Sequence, residues 1–237
     1  MLRTQIWNGG EAVSEKTMMI EAVAPTEDIR RAYDLGSYLY GKLLAPLEHK
    51  PRVRALEQAR IHPQDRILEV AVGPGAALVE ILKKVDRTNV VYGVDLSPKM
   101  LENARRRVDT AGYTNTDLRE ADARQLPFPD GMFDVLYNSY MFDLLPLKDM
   151  PVVLSEFRRV LKPGGRLVLV NLSKEPGSCL TWREKLYLWL PARWVPYLMG
   201  GCRPVLMESL VREAGFAEVR REFLRHIIPS EIVTADR

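Results

Sequence analysis

The segment 67–78 constrains the fold more than any other part of the chain. Its first half is apolar and predicts a buried strand, Gly73 and Gly75 predict a tight turn, and a helix follows. A second apolar run, 89–94, ends in Asp95 at roughly the twenty-residue spacing of a nucleotide-binding unit. A glycine turn lets backbone approach a ligand, and an acid at the next strand tip can accept both hydroxyls of a ribose. The two features together predict a site for a molecule built on adenosine.

The same alternation of strand and helix continues along the chain. Near-continuous apolar strands between amphipathic helices predict an α/β fold with a parallel sheet covered on both faces. After Gly215 two strand-like runs have a link too short for a parallel crossover, so they predict an antiparallel pair. The predicted strands are 66–72, 89–94, 117–120, 133–138, 166–171, 217–224 and 230–235, and the helices include 27–44, 98–111, 153–161 and 204–214.

The composition is that of a globular domain, and it argues against a nucleic-acid partner, a disulfide framework and a zinc site. The chain has 237 residues, 46% of them hydrophobic, and its net charge of +3 with no long Lys/Arg run argues against nucleic acid. Its length fits one α/β domain with a full core. Cys179 and Cys202 are its two cysteines, far apart, so neither a disulfide framework nor a zinc site is expected.

The chain also lacks an apolar run of membrane-spanning length, and its N-terminus lacks the apolar core of a signal peptide. We therefore expect a cytoplasmic protein in a reducing compartment. We expect residues 1–26 to be a disordered leader and 27–237 to be a single domain. Its oligomeric state stays open.

Five motifs occur in order and in register with the predicted strands. They are Glu69-Val70-Ala71-Val72-Gly73-Pro74-Gly75, the run Val94 to Leu101, Ala121-Asp122-Ala123 with Leu126-Pro127-Phe128, the run Phe133 to Ser139, and Leu161-Lys162-Pro163-Gly164-Gly165. Together they resemble the class I S-adenosylmethionine-dependent methyltransferases, and within them the ubiquinone/menaquinone-biosynthesis branch. The resemblance covers about residue 33 to the C-terminus. It implies a Rossmann-like, mostly parallel seven-stranded sheet with an antiparallel C-terminal strand, and S-adenosyl-L-methionine as cosubstrate.

The resemblance also implies which residues contact this methyl donor. Glu69 would help to hold the ammonium group, Asp95 the ribose and Asp122 the adenine amino group, although either aspartate has a helix cap as its alternative role. Asn138 would face the donor through its backbone. Ala71 replaces the family's first glycine and is strained if its φ is positive. The expected donor-binding set is Glu69, Ala71, Gly73, Gly75, Asp95, Leu96, Met100, Asp122, Ala123, Asn138 and Tyr40.

Methyl transfer is an in-line displacement for which an enzyme supplies alignment and a dry pocket. It needs no metal, and the sequence shows no cluster of metal ligands. A phenol-like acceptor would also need a base. Asp143 is the candidate, with Tyr140 beside it, where related enzymes carry a histidine. A turn cap is the alternative role of Asp143.

Two segments flank the predicted site. Residues 27–60 resemble the family's N-terminal helical lid, in which Tyr33-Asp34 and Tyr40 fold over the donor; the alternative is that the tyrosines only pack a helix on the domain. Residues 174–203 resemble the acceptor cover. Their tryptophans and tyrosines beside Arg and Lys suit a lid for a lipophilic substrate or a surface that touches a membrane interface. The alternative is a helical hairpin that packs its apolar stripe on the core.

These observations predict methyl transfer to a small lipophilic acceptor, at carbon or oxygen of a quinone-type or phenolic ring. The alternative is a phospholipid or small-amine N-methyltransferase on the same scaffold. A nicotinamide-dependent oxidoreductase shares the glycine turn and the acid, but Leu78 stands at its usual third glycine. A binding module that has lost turnover is a further alternative.

Overall fold

The computed structural model describes residues 19–32, 34, 48–175 and 180–237. Tyr33, Tyr40 and Cys179 lie outside the described residues, as do residues 35–47 of the expected lid and 1–18 of the expected leader.

Seven strands form one sheet in the order β3-β2-β1-β4-β5-β7-β6. The strands are β1 (Ile67–Val70), β2 (Val91–Asp95), β3 (Thr116–Glu120), β4 (Phe133–Ser139), β5 (Leu161–Leu172), β6 (Ala217–Leu224) and β7 (Ser230–Asp236). All neighbours from β3 to β5 pair parallel, whereas β7 lies antiparallel between β5 and β6. The predicted seven-stranded sheet with an antiparallel C-terminal strand is therefore confirmed. The chain crosses from one side of β1 to the other between β3 and β4, which is the position where open α/β sheets bind ligands.

Helices cover both faces of this sheet. They are α1 (residues 26–32), α2 (His49–Gln58), α3 (Ala76–Leu82), α4 (Pro98–Thr110), α5 (Met150–Val160), α6 (Trp182–Trp189), α7 (Val195–Met199) and α8 (Glu208–Glu213). Because successive strand residues point to opposite faces, Leu68 and Leu136 join one buried cluster with α5 and α8. Ile67 and Val135 join another buried cluster with α2 and α3.

Two element boundaries differ from the pattern-based expectation. The predicted strand 166–171 begins five residues earlier in the structure, because the β-ladder already starts at Leu161, which pairs with Phe133. Helix α8 begins later than expected because Val205 donates its N–H to Leu172 O and lies in extended backbone beside Ser173. Pairing with a distant strand end therefore overrides the local helical pattern of residues 204–207.

The expected disordered leader is wrong for residues 19–24. Met19 is buried in the same cluster as Leu68, and Ile20 packs with Tyr187 and Val195. The sequence pattern did not predict this burial, because the segment is too short to show a periodic distribution of apolar residues. Its burial depends on contacts with residues more than 160 positions away, such as the N–H of Val23 donated to the Tyr187 hydroxyl at 3.2 Å.

Candidate active site

A cavity opens at the carboxyl ends of β1, β2 and β4. Together with its open mouth it encloses about 1000 Å³ of empty space. Eight residues singled out from the sequence line it: Ala71, Gly73, Asp95, Leu96, Met100, Asp122, Ala123 and Tyr140. The other described candidates, Glu69, Gly75, Asn138 and Asp143, are not among the lining residues.

Asp95 is the best-defined side chain of the cavity. It ends β2, and its two oxygens accept the N–H of Gly73 at 2.8 Å and that of Ser97 at 2.9 Å. Burial raises the pKa of this carboxyl to about 6, against the lowering effect of those two backbone donors. Each carboxylate oxygen has a second lone pair, so Asp95 can organise the glycine turn and still accept ligand hydroxyls.

The helix-cap role that was the alternative for Asp95 is carried mainly by Ser97. The Ser97 Oγ accepts the N–H of Met100 at 3.0 Å and so caps α4. The same hydroxyl bonds the Asp34 carboxylate, which ties the N-terminal helical segment to the rim of the cavity. Asp34 is the described member of the Tyr33-Asp34 pair.

The turn after β1 carries backbone strain. Ala71 adopts φ +57° and Gly73 φ +51°, the left-handed region that costs a residue with a Cβ roughly 1–2 kcal/mol. Tyr140, at the end of β4, also has a positive φ of +54°. Ala71 and Tyr140 both line the cavity, and strained backbone of this kind concentrates at binding sites.

The two glycines of the turn have different roles. A Cβ on Gly73 would meet no atom within 4 Å, so the backbone there faces open space in the cavity. A Cβ on Gly75 would lie 2.9 Å from the Cα of Ala104. Gly75 therefore lets α3 pack closely against α4, and its contact with the donor stays a prediction.

Asp122 sits at the cavity wall in a local ion pair. Its carboxylate accepts the backbone N–H of Arg124 at 2.9 Å and bonds the guanidinium of the same residue. These hydrogen bonds lower the pKa of Asp122 and keep it ionised. No helix begins at Asp122, so its N–H bond closes a turn instead of capping a helix, and the adenine contact stays a prediction.

Two buried polar groups stand behind the turn. Glu69 is fully buried, and its Oε2 has no hydrogen-bond partner among the described residues. Burial raises the pKa of Glu69 well above its ordinary value, while the charge of Arg52 opposes that rise. Asn138 donates its amide to Val70 O at 2.8 Å and fixes the ends of β4 and β1 together, with its own Oδ1 unpartnered.

The two residues expected to be catalytic are separated by the cavity wall. Tyr140 lines the cavity, and its hydroxyl lies 2.9 Å from Ser230 Oγ. Asp143 is fully buried and accepts the Leu172 N–H at 3.2 Å, and burial raises the pKa of its carboxyl to about 7. That value would suit a base, but the side chain lies outside the set that faces the cavity.

Several lining residues escaped the sequence reasoning. Thr26, Ile29 and Arg30 come from α1, and Met141, Leu144 and Leu145 follow β4. Arg203 fixes this second group, because its buried guanidinium donates to Asp143 O at 3.0 Å and to Leu145 O at 2.6 Å. One sequence signal could have identified residues 141–145. They form an apolar run directly after β4, the strand at which the chain has crossed to the other side of β1.

The arrangement fits a methyl donor of the expected kind. Asp95 has lone pairs for a ribose, and the open backbone at Gly73 leaves room above the turn, with the unpartnered Oε2 of Glu69 buried behind it among the described residues. Among the described residues no group of three or more His, Cys, Asp or Glu is placed to hold a metal ion.

Comparison with known proteins gives consistent matches. A family model described as a methyltransferase domain matches residues 67–165, which hold β1 to β4. A demethylmenaquinone methyltransferase of Symbiobacterium thermophilum is 35% identical over 188 residues, or 70% of this chain and 74% of that protein. A ubiquinone/menaquinone biosynthesis C-methyltransferase of Teredinibacter turnerae is 35% identical over 133 residues, or 56% of this chain. The match spans about half of the Teredinibacter protein, 51% of its length.

Solved structures share the architecture. The crystal structure of the [4+2]-cyclase SpnF superposes with a TM-score of 0.73 at 18% identity and covers 92% of this chain and 98% of its own. Identity this low shows the fold alone, and one fold hosts several chemistries.

Proposed function

Because the chain belongs to the class I S-adenosylmethionine-dependent methyltransferases, we propose that it methylates a ring carbon of a small lipophilic quinol or phenol. S-adenosylmethionine is the cosubstrate of this family. The names of the two relatives, a demethylmenaquinone methyltransferase and a ubiquinone/menaquinone C-methyltransferase, support the acceptor class.

The observation that carries the proposal is the apolar wall beside the donor-binding residues. Ile29, Met141, Leu144 and Leu145 line the same cavity as Asp95. An aromatic ring held against such side chains is withdrawn from water, which prevents competing hydrolysis and strengthens electrostatic contacts around the reacting atoms. A charged amine acceptor would require a carboxylate of its own there, and the acids that line the cavity among the described residues, Asp95 and Asp122, are those assigned to the donor.

In this proposal the polar side of the cavity holds the donor. Asp95 would bind the ribose, the backbone at Gly73 would lie beneath the amino-acid end, and Glu69 would bind the ammonium. The bound donor supplies an electrophilic methyl group on a sulfonium sulfur. Met100 and Leu96 would pack beside the adenine, with Asp122 and Ala123 at its edge.

Tyr140 has a different role in this proposal from that of a base. Burial raises the pKa of its phenol far above its ordinary value, so the hydroxyl stays protonated at neutral pH and donates or accepts a hydrogen bond without exchanging charge. We propose that Tyr140 orients the acceptor. Asp143, behind the wall, shapes the segment that carries Met141 and Leu144.

The test is a reaction with methyl-labelled S-adenosylmethionine and three acceptors offered in parallel: a demethylmenaquinol, a simple phenol and phosphatidylethanolamine. We expect mass to be added to the quinol ring at a carbon, which fragmentation distinguishes from an O-methyl ether. Asp95→Ala should lose this product, whereas Asp109→Ala, an exposed carboxylate on α4, should retain it. Methylation of the lipid amine alone would overturn the proposal.

A further inference from the structure

The segment between β5 and α8 presents an apolar face to solvent. Trp182 is 69% exposed, Trp189 79% and Trp194 50%. The whole aromatic face consists of Trp182, Leu186, Trp189, Trp194, Tyr197 and Leu198, which are six of the nine exposed large hydrophobic residues in the described part of the chain. At about 150–250 Å² per aromatic side chain, the rings alone expose on the order of 500 Å². The largest apolar patch of a monomer has about this size and is often functional.

Helix α6 is amphipathic with its apolar side outward. Trp182, Leu186 and Trp189 follow the i, i+4, i+7 spacing of one helical face, and all three are exposed. The opposite side buries Glu184 and Tyr187. Tyr187 packs in a buried cluster with Ile20 and Val195, so the segment packs one apolar side on the core as the hairpin alternative predicts, while the side with both tryptophans of α6 faces outward.

The buried side of α6 is anchored by charge pairing. Glu184 bonds Lys174 Nζ at 2.6 Å and both are buried, while its other oxygen accepts from Thr181 in a capping box. The Tyr187 hydroxyl accepts the Val23 N–H from the N-terminal segment. The outward orientation of the tryptophans is therefore fixed by specific bonds on the inner side.

The exposed surface around the aromatic face is cationic. Lys185 and Arg193 are exposed and Arg183 is half-buried, whereas Glu184, the one acid between residues 180 and 207, is buried. Two copies of this chain docked face to face would bring these cations together, which disfavours self-association. Aromatic residues flanked by Lys and Arg fit the interface of a bilayer with anionic headgroups.

The aromatic face also lies on the segment that meets the cavity wall. A Cβ at Gly201, just after α7, would lie 3.4 Å from both Ile29 and Leu144, which line the cavity. Arg203 binds the same wall through Leu145 O. A surface docked through α6 and α7 would consequently sit next to the residues that we assign to the lipophilic acceptor.

We propose that the aromatic face docks onto an anionic membrane surface and brings the cavity to lipid-dissolved acceptors. No helix of the described chain has the length and apolarity to span a bilayer, so the contact is peripheral. The tryptophans would enter the interfacial region, and Arg183, Lys185 and Arg193 would pair with lipid phosphates. The contact does not depend on which atom of the acceptor is methylated.

The test uses the full chain with phosphatidylcholine vesicles that contain or lack phosphatidylglycerol. Three of the four tryptophans lie on the aromatic face, so binding should shift intrinsic fluorescence to the blue and carry the protein into the vesicle pellet. The double variant Trp182→Ser/Trp189→Ser should lower vesicle partitioning tenfold or more. It removes apolar surface that would be buried in the membrane, at about 25 cal/mol per Å². Lys185→Gln should lower vesicle partitioning about fivefold, and salt should weaken it.

Val90→Ser is the matched control, because Val90 is 37% exposed just before β2, at the opposite end of the strands from the cavity. It should leave partitioning unchanged. Each variant is checked for donor affinity, which reports an intact fold independently of the acceptor. Equal partitioning of the double tryptophan variant and the parent would overturn the proposal, as would a parent that dimerises through these tryptophans and ignores both vesicles. Vesicle binding without quinol methylation would support the membrane contact and contradict only the proposed acceptor.

Discussion

The substitution Asp143→Asn tests whether Asp143 is a buried structural carboxyl or a catalytic base. Asp143 is fully buried, and its Oδ1 has no hydrogen-bond partner among the described residues. Burial raises the pKa of the group from the ordinary 3.8 to about 7, so the folded protein holds this proton more tightly than the unfolded chain does. The protonated carboxyl therefore contributes its full share to the free energy of unfolding below pH 3.8, and this contribution is lost as the pH rises towards 7.

The magnitude follows from the two pKa values. At 1.36 kcal/mol for each pH unit between 3.8 and about 7, ionising Asp143 costs the folded state about 4 kcal/mol above pH 7. An asparagine amide has nearly the same shape, accepts the Leu172 N–H and never ionises. The free energies of unfolding of Asp143→Asn and the parent should therefore diverge by roughly 2.5 kcal/mol in favour of the variant between about pH 5 and pH 8.

Urea unfolding of both proteins across this pH range measures the divergence directly. Asp109→Asn is the matched control, since Asp109 is an exposed aspartate on α4 with no charged partner in the described structure, and it should run parallel to the parent. Curves for Asp143→Asn that also run parallel would refute the assigned burial cost. Methyl transfer should change by less than about tenfold, because the side chain does not line the cavity. A loss above a hundredfold with unchanged donor affinity would instead establish Asp143 as the base.

Three further perturbations test the site and its support. Asp95→Ala should raise the Kd for S-adenosylmethionine in calorimetry by about 10–100-fold, the worth of charge-assisted hydrogen bonds to a ribose, and an unchanged Kd would remove this residue from the site. Ala71→Gly should raise the free energy of unfolding in urea by about 1 kcal/mol, since the alanine is held at φ +57°; a decrease would show that its methyl group contributes more than the strain costs. Lys174→Met leaves the fully buried Glu184 without its cation and should cost about 3–5 kcal/mol of unfolding free energy, whereas adding Glu184→Leu should restore much of it.

Much of the fold could be predicted because its signals are local. Apolar runs of strand length, the Ser97-Pro98 helix start and the turn glycines each act within a few residues, and the resulting elements agree with the structure to within a few positions. The acid at the tip of β2 was identified for the same reason, since its role follows from its place at a strand end.

The rest of the site depends on groups brought together from distant segments. Ile29, Leu144 and Arg203 meet at one wall although more than 170 positions separate the first from the last. In sequence Gly75 predicts a turn, and only the approach of α4 shows that a side chain there would also clash with Ala104.

The sequence by itself determined the order and kind of the secondary elements, the glycine turn after β1 and the carboxylate that faces it, because periodicity and backbone preference are properties of neighbouring residues. The tertiary structure decided which way side chains point. It buried Glu184, turned the tryptophans of α6 outward and set Asp143 behind the cavity wall. Hydrophobicity gives each helix an apolar side, but the partners available on the folded surface determine what that side faces.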